Sequence, residues 1–434
     1  MKSRWKLKEL KSKLNSNKIV HLCGQRRTGK TTLFQELNNI TNDSEYILIE
    51  EDQDTRELIE YINNSVNKIF FLDEITRVNN LETLNYLYDE CIRLYNKKIF
   101  ITSTNSLEIY LIGSSVLAGR VEIIPIYPMG IDEYVDIILN KKDYNRNDYI
   151  KYLENGGFFT EYTGKEQIEF IIESFYHSII NTGNTNFTKE EVRTSVVTIL
   201  IKLVWEETLG MRKSLELIQS RKTSDVQHDV ISNEFFNRNY KPVNVYTFNK
   251  IVDMLISMNI IKTIPPLGGI GGKFIIMNIP IQIYLYNIII DQFKQLNTDY
   301  GQFNINFWGR LFEVVMISSN IANNSYFQYS YKTNKGELDD ILVNTDSVYL
   351  IEYKSNPKYQ KLNNENYLFN NLDSLSSFMG NMGIETLYVY PGPTKYREKL
   401  YNNIEFLEFA RKGQLKELIE NNHQEIENKN ILEW

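Results

Sequence analysis

Apolar residues in the first third of the chain alternate between short continuous runs and helical spacing. Buried or half-buried strands are predicted at Ile19–Cys23, Ser44–Glu50, Lys68–Leu72 and Lys98–Thr102. Helical spacing between these strands predicts helices at Thr31–Asn39, Thr55–Ser65 and Leu81–Tyr95. Short apolar strands separated by amphipathic helices are typical of a parallel sheet that is covered on both faces.

The first 16 residues predict a short basic helix before that sheet. Leu7, Leu10 and Leu14 mark one apolar face, and lysines and arginines occupy the rest. We favour packing of the apolar face on the following domain, and an arm that contacts phosphates is the alternative.

After Pro128 the pattern becomes helical up to about residue 230. A helix at Tyr246–Met258, strands at Ile260–Ile264 and Lys273–Met277, and a turn at Gly268–Gly272 then predict a winged helix. The helix carries few basic residues, so a lid or a protein contact is at least as well supported as DNA reading.

The fold class is therefore α/β with a helical and winged-helix middle. The predicted boundaries are a parallel-sheet domain at residues 1–135, a helical lid or connector at 136–230, a winged helix at 231–295 and an α/β domain at 296–434.

Net charge, cysteine content and the length of apolar runs exclude some classes of function. The 434 residues carry a formal net charge of −7, so any contact with nucleic acid must be local. The two cysteines, Cys23 and Cys91, lack partners at zinc-ligand spacing, and they fit a reducing cytoplasm. The apolar runs are too short to span a bilayer, so we expect no membrane partner.

A complete phosphate-binding motif lies between the first predicted strand and helix. The pattern G-x-x-x-x-G-K-[ST] is met, which makes this a Walker A loop, and nucleotide contacts are expected from Gly24, Gln25, Arg26, Arg27, Thr28, Gly29, Lys30, Thr31 and Thr32. Backbone N–H groups wrap phosphates in such loops, the lysine reaches the β- and γ-phosphates, and Thr31 is expected to bind Mg²⁺.

Two carboxylates end the strand at Lys68–Leu72. Asp73 is expected to hold Mg²⁺ of the ATP site, and Glu74 to activate the attacking water. Thr102, Thr104 and Asn105 follow the next strand as unranked candidates for sensing the γ-phosphate. Arg120 is a candidate arginine finger, acting in cis or on a neighbouring subunit of a homo-oligomer, and an ordinary surface arginine is the alternative.

The last third of the chain carries a second constellation. Glu313 lies in a predicted helix, Asp339 follows a Lys-Gly turn, and Glu352 and Lys354 form an E-x-K motif on an apolar strand. A hairpin would bring Asp339 beside Glu352 and Lys354, and such oxygen ligands suit Mg²⁺ or Mn²⁺. This order of residues is the D…(D/E)-x-K pattern of restriction-endonuclease-like nucleases, and the alternatives are a solvated charged face or a decayed site.

The ordered motifs resemble a bacterial and archaeal family in which an AAA+-like P-loop ATPase precedes a winged helix and a restriction-endonuclease-like (PD-(D/E)XK) domain. Several further segments are similar to that family; these are Ile112–Arg120, Pro128–Tyr134, Gly156–Phe158 and Gly309–Glu313. Departures are Ser103 to Asn105 in place of Gly-Ser-Ser and Phe159 in place of proline. The resemblance implies an ATPase coupled to a nuclease-like fold, and links to mobile elements and antiviral defence.

The leading interpretation is an ATP-regulated, metal-dependent nuclease that acts on nucleic acid, with DNA favoured over RNA. In this interpretation Glu74, Arg120, Glu313, Asp339, Glu352 and Lys354 are catalytic, and Asp339 and Glu352 hold the nuclease metal. The rival is a regulatory ATPase or adaptor whose last domain binds nucleic acid or protein without cutting. A DNA remodeller would need a translocation ring for which the sequence gives no sign.

Overall fold

The computed structural model describes most of the first two thirds of the chain and parts of the rest. The described residues are 2–80, 85–104, 119–142, 144–181, 188–205, 245–265, 273–295, 297, 301–323, 327–333, 336–343, 347–353 and 383–389. Among the predicted site residues, Asn105 and Lys354 lie outside them, as do the predicted Gly268–Gly272 turn and most of Ile112–Arg120.

The amino-terminal elements follow the predicted alternation of strands and helices. In chain order they are α1 (Leu7–Ser12), β1 (Ile19–Cys23), α2 (Lys30–Ile40), β2 (Ser44–Leu48), α3 (Thr55–Asn64), β3 (Ile69–Asp73), β4 (Lys98–Ser103) and β5 (Val121–Pro125). A π-helical turn covers Leu87–Ile92 within the segment predicted as a helix. β5 was not predicted, because its run of apolar residues is short and is broken by Glu122.

These five strands form one parallel sheet in the order β2-β3-β4-β1-β5. Because the strands are parallel, the loop after β1 lies at the same edge of the sheet as the carboxyl ends of β3 and β4. β1 is buried along its whole length, as expected of a central strand that is covered on both faces.

Helix α2 is held on the sheet by an aromatic cluster. Phe34 of α2 packs against Phe71 with ring centroids 5.3 Å apart, and Phe71 packs against Phe100 at 5.1 Å. All three rings are fully buried. Leu10 of α1 is buried in the same core, with Leu7 and Leu14 packed against it, so the predicted packing of the apolar face of the amino-terminal helix is confirmed.

The elements that follow are mainly helical and then mixed. They are α4 (Ile131–Ile137), α5 (Arg146–Asn155), α6 (Gly164–Asn181), α7 (Lys189–Trp205), α8 (Val245–Ser257), β6 (Ile261–Ile264), β7 (Lys273–Ile276), α9 (Ile279–Gln295), α10 (Gly301–Asn323), β8 (Phe327–Thr333), β9 (Gly336–Val343), β10 (Ser347–Tyr353) and β11 (Gly383–Val389). A helix and two strands thus occur where the winged helix was predicted, with β6 and β7 in one small sheet.

Strands β8 to β11 form a second sheet in the order β11-β10-β9-β8. β9 is antiparallel to both β8 and β10, and β10 is parallel to β11. The hairpin between β9 and β10 is the one that the sequence predicted.

The chain divides into two compact units that interleave along the sequence. One comprises residues 1–129, 155–195 and 243–261, and the other comprises 130–154, 196–242 and 262–434. This division differs from the four consecutive predicted domains, whose boundaries stay a prediction. None of the helices in the described residues combines the length and apolar character needed to cross a membrane.

Candidate nucleotide-binding site

The Walker A loop joins the end of β1 to the start of α2. Arg27 and Gly29 both have left-handed backbone, with φ of 62° and 89°. Gly24 is required for another reason, since a Cβ there would lie 2.0 Å from the carbonyl oxygen of Ile126. The loop therefore turns tightly into α2, whose first N–H groups have no intrahelical acceptor and are the groups that bind phosphate in loops of this kind.

Lys30 is buried within this loop. Its Nζ donates to the carbonyl oxygens of Gly24 at 2.8 Å and Gln25 at 2.9 Å. Burial lowers the pKa of Lys30, and the nearby carboxylates of Glu74 and Asp73 oppose that shift. An ammonium group held by two loop carbonyls beside two carboxylates is ready to exchange those carbonyls for phosphate oxygens.

The carboxylate of Asp73 ends β3 and is almost fully buried. One oxygen accepts from the Thr102 hydroxyl at 2.5 Å, and the other accepts from the Tyr46 hydroxyl at 2.8 Å. Burial and this bond to Asp73 raise the pKa of Tyr46, so its hydroxyl stays protonated and donates. Both oxygens of this buried carboxylate thus accept from neutral hydroxyls, and the ammonium of Lys30 is a positive charge near it.

Glu74 follows directly and has left-handed backbone, with φ of 58°. Such a conformation is costly for a glutamate, and here the N–H of Glu74 is held by the Thr102 hydroxyl at 2.9 Å. One threonine hydroxyl therefore orients both consecutive carboxylate residues.

Among the sensor candidates, Thr102 is the one joined to this acidic pair. Thr104 is half-buried, and Asn105 lies outside the described residues. Ser103 instead contacts His21 of β1, with Oγ 2.7 Å from Nε2, and its carbonyl accepts from the N–H of Gly24. The polar residues that end β4 thus hold both the Walker A loop and the acidic strand end.

Arg120 lies at the other edge of the sheet. It precedes β5, its carbonyl accepts from the N–H of Ile19 at the start of β1, and its guanidinium bonds Asp89 at 3.1 Å. The whole length of β1 separates this position from the Walker A loop. The structure therefore does not bring Arg120 to the phosphate site of its own chain, and a role on a neighbouring subunit stays a prediction.

Segments distant in sequence surround the Walker A loop within the first unit. The guanidinium of Arg26 lies 4.1 Å from the centre of the Phe170 ring, and that of Arg27 lies 4.4 Å from the centre of the Tyr162 ring. Phe159 packs on Gly29, where a Cβ would come within 2.4 Å of its ring. The departure from proline at this position therefore places an aromatic ring over the loop.

A second segment reaches the loop from the end of α8. The side-chain amide of Gln25 donates to the carbonyl of Asn259 at 2.7 Å, and the side-chain amide of Asn259 donates to the carbonyl of Cys23 at 3.2 Å. Asn259 has left-handed backbone, with φ of 57°, as is common for asparagine after a helix.

Sequence reasoning missed Tyr46, Asn259 and Arg4, the last of which bonds the carbonyl of Thr28. Asparagine just after a predicted helix is the one recognisable signal among them, because it favours a helix end. The contacts themselves depend on strand order and on the path of the chain.

The sequence that carries the Walker A loop and the acidic strand end matches a known family model. A family model described as an AAA domain matches residues 16–135. Those residues form an AAA-type P-loop ATPase domain. Membership of this kind implies nucleotide binding and, as a rule, Mg²⁺. The AAA domain accounts for the Walker A loop, the acidic strand end and the polar residues that join them.

Solved structures give only distant similarity around the AAA domain. The Thermotoga maritima RuvB Holliday junction branch migration motor is 12% identical with a TM-score of 0.28, covering 68% of this chain and 95% of that one. A Pyrococcus horikoshii signal transduction ATPase with numerous domains and a tetratricopeptide repeat sensor is 11% identical with a TM-score of 0.26, covering 73% and 48%. No curated protein matches the chain.

The second predicted site is described in part. Glu313 is half-buried on α10, and Asp339 and Glu352 lie in β9 and β10. The pairing of β9 with β10 runs from Val343 opposite Val348 to Asp340 opposite Ile351, so Asp339 and Glu352 each lie one residue beyond the paired stretch.

The residue beside Asp339 has a clear structural role. Asp340 is fully buried, and its carboxylate accepts from the side-chain amides of Gln328 at 2.8 Å and Asn320 at 3.2 Å. It therefore ties β9 to β8 and α10.

Proposed function

We propose that this protein is an ATP-regulated, metal-dependent nuclease built on its AAA-type ATPase domain. The observation that carries the ATP part is the joining of Lys30, Asp73 and Glu74 at one sheet edge through the Walker A loop and Thr102. The nuclease part rests on the antiparallel pairing of β9 and β10, the strands that carry Asp339 and Glu352, and on the Lys354 that follows.

In the ATP site, the loop N–H groups and Lys30 bind the phosphates. The buried Asp73 carboxylate, whose oxygens accept from the Thr102 and Tyr46 hydroxyls, fits Mg²⁺ together with the Thr31 hydroxyl at the start of α2. Bound Mg²⁺ supplies charge neutralisation at the phosphates. Glu74 accepts a proton from the attacking water, and Thr102 holds its backbone in position.

In the nuclease site, Asp339 of β9 and Glu352 of β10 each lie directly beyond the paired residues of these adjacent strands, and we assign them as ligands for Mg²⁺ or Mn²⁺. The metal would polarise a phosphodiester, with Lys354 neutralising charge and Glu313 on α10 completing the acidic set. The substrate is nucleic acid, with DNA favoured over RNA.

In this proposal, binding of nucleotide changes the conformation of residues beyond the Walker A loop. Asn259 bonds both ends of the turn into the Walker A loop, and the first unit ends two residues later at Ile261. If the loop moves when it binds phosphate, Asn259 moves with it. Two positions of Asn259, one with and one without nucleotide, could then regulate cutting.

A regulatory ATPase or adaptor is the second candidate. The observation that favours it is Asp340, which shows that one acidic residue of the Glu337-Leu-Asp-Asp segment serves packing. In that case the last domain binds nucleic acid or protein without cutting.

The test is cleavage of plasmid DNA, single-stranded DNA and RNA with Mg²⁺ or Mn²⁺, with and without ATP. Asp339→Ala and Glu352→Ala/Lys354→Ala should abolish cutting and keep ATPase activity, and Asp291→Asn, at an exposed carboxylate of α9, is the matched control.

Lys30→Ala should abolish ATP binding, with the exposed Lys68→Ala as its control. If the wild-type protein hydrolyses ATP but cuts none of these substrates, the regulatory ATPase or adaptor becomes the favoured function.

A further inference from the structure

The amino-terminal segment places one buried arginine against the Walker A loop. Arg4 is only 4% exposed, although it precedes the basic helix α1 whose other cations lie mostly at the surface. Its Nη1 donates to the carbonyl oxygen of Thr28 at 2.6 Å. A buried guanidinium needs several acceptors, so this position is specified by its partners.

The same guanidinium is fixed at a second point. Nη1 and Nη2 both donate to the carbonyl oxygen of Tyr127, at 3.2 and 3.1 Å. Tyr127 follows Ile126, whose N–H donates to the carbonyl of Cys23 at the end of β1 at 2.7 Å. Tyr127 is therefore held close to the end of β1. Arg4 therefore bridges the loop to the edge of the sheet.

The bond to Thr28 has a consequence for the next amide. In a planar trans peptide the C=O and N–H point in opposite directions. Because Arg4 holds the Thr28 carbonyl, the N–H of Gly29 is directed away from Arg4, and Gly29 is the residue that caps the start of α2. This N–H is one of the groups that a phosphate meets in a loop of this type.

We propose that Arg4 is a positioning residue for the phosphate-binding loop, which it orients through the Thr28–Gly29 peptide. This proposal rests on ATP binding at the Walker A loop. Arg4 does not touch the nucleotide; it reduces the freedom of the peptide that does. A lysine, as a point charge without a planar fork, would not bridge both carbonyls.

The test compares full-length wild type, Arg4→Ala, Arg4→Lys and Lys8→Ala. Lys8 is an exposed residue of α1, so its variant changes the net charge equally without reaching the loop. Titration with a fluorescent ATP analogue and with ADP gives Kd, and steady-state ATPase assays give kcat and KM. Thermal melting without nucleotide reports the fold.

Arg4→Ala should weaken binding of ATP and ADP about tenfold, the usual order for a lost charge-assisted hydrogen bond. KM should rise with kcat largely kept, Arg4→Lys should restore part of the affinity, and Lys8→Ala should match wild type. A purely structural role would instead lower kcat through loss of folded protein and leave KM unchanged.

Wild-type affinity in Arg4→Ala, or in Arg4→Lys should the alanine variant not fold, would overturn the proposal. Equal losses in Lys8→Ala would do the same, because they would indicate a general effect of charge. Absence of ATP binding by the wild-type protein would contradict the nucleotide site itself, and is thus distinct from failure of the Arg4 proposal.

Discussion

The Thr102 hydroxyl donates to the Asp73 carboxylate at 2.5 Å and also accepts from the backbone N–H of Glu74. One side chain from β4 therefore sets the positions of two consecutive acidic residues, Asp73 at the end of β3 and Glu74 directly after it. The strands adjoin in the sheet, although 29 residues separate Thr102 from Asp73 in sequence.

Thr102→Val keeps the shape of the side chain and removes both bonds. We expect kcat for ATP hydrolysis to fall at least about tenfold, because a misplaced group costs one or two orders of magnitude. The Kd for ATP should change little, since the Walker A loop is untouched. Steady-state kinetics with Thr102→Ser as the rescue variant and Thr104→Val as the control would measure this; equal kcat in Thr102→Val would refute it.

His21 makes the stability of the AAA domain depend on pH. Its ring is fully buried beside Lys30, and burial, followed by the charge of Lys30, lowers the pKa of His21 to about 3. The unfolded chain takes up this proton near pH 6.5, so the stabilisation is complete above that pH and is lost as pH falls toward 3.

We expect the free energy of unfolding to decrease by about 1.4 kcal/mol per pH unit in that window through this residue alone. Urea unfolding of the wild type and His21→Asn at several pH values would isolate the effect. Identical slopes below pH 6 for the two proteins would contradict it.

The aromatic cluster under α2 supports the loop that begins this helix. Phe100→Ala removes a fully buried ring that packs on Phe71, and should cost about 3–5 kcal/mol of stability. Denaturant unfolding would measure the loss. Val66→Ala, at a side chain that is 92% exposed, should stay within about 0.5 kcal/mol; similar losses for both would show that the cluster does not hold the helix.

Mutation of the two adjacent aspartates on β9, Asp339 and Asp340, should affect different properties of the protein. Asp340→Ala leaves the amide donors of Gln328 and Asn320 without this acceptor, so we expect a loss of about 1–3 kcal/mol of stability. Asp339→Ala should change stability little and abolish cutting under the proposed function. Thermal melting of both variants beside a cleavage assay would decide, and a reversed pattern would exchange their roles.

The fold of the first domain could be predicted where hydrophobic spacing and turn chemistry agree. Ile19–Cys23 is a strand with the predicted bounds, and the Walker A loop follows it as its glycines require. β5 and the place of Arg120 could not be predicted, because the order of strands in a sheet depends on crossovers that local patterns do not encode.

The same limit applies to the candidate site. Lys30, Asp73 and Glu74 were found because each belongs to a short motif. Tyr46 and Asn259 were not, because each acts through contacts with residues far away in sequence. Such contacts are visible only once the chain path is known.

The interleaving of the two compact units has a practical meaning for protein engineering. A fragment cut after residue 135 would contain every nucleotide-binding motif, yet it would lack residues 155–195 and 243–261 of the same unit. Gln25 would lose the Asn259 carbonyl, and Arg26 and Arg27 would lose the rings of Phe170 and Tyr162. A recombinant ATPase module of this protein therefore has to be assembled from three stretches of sequence, joined by linkers that replace the excised ones.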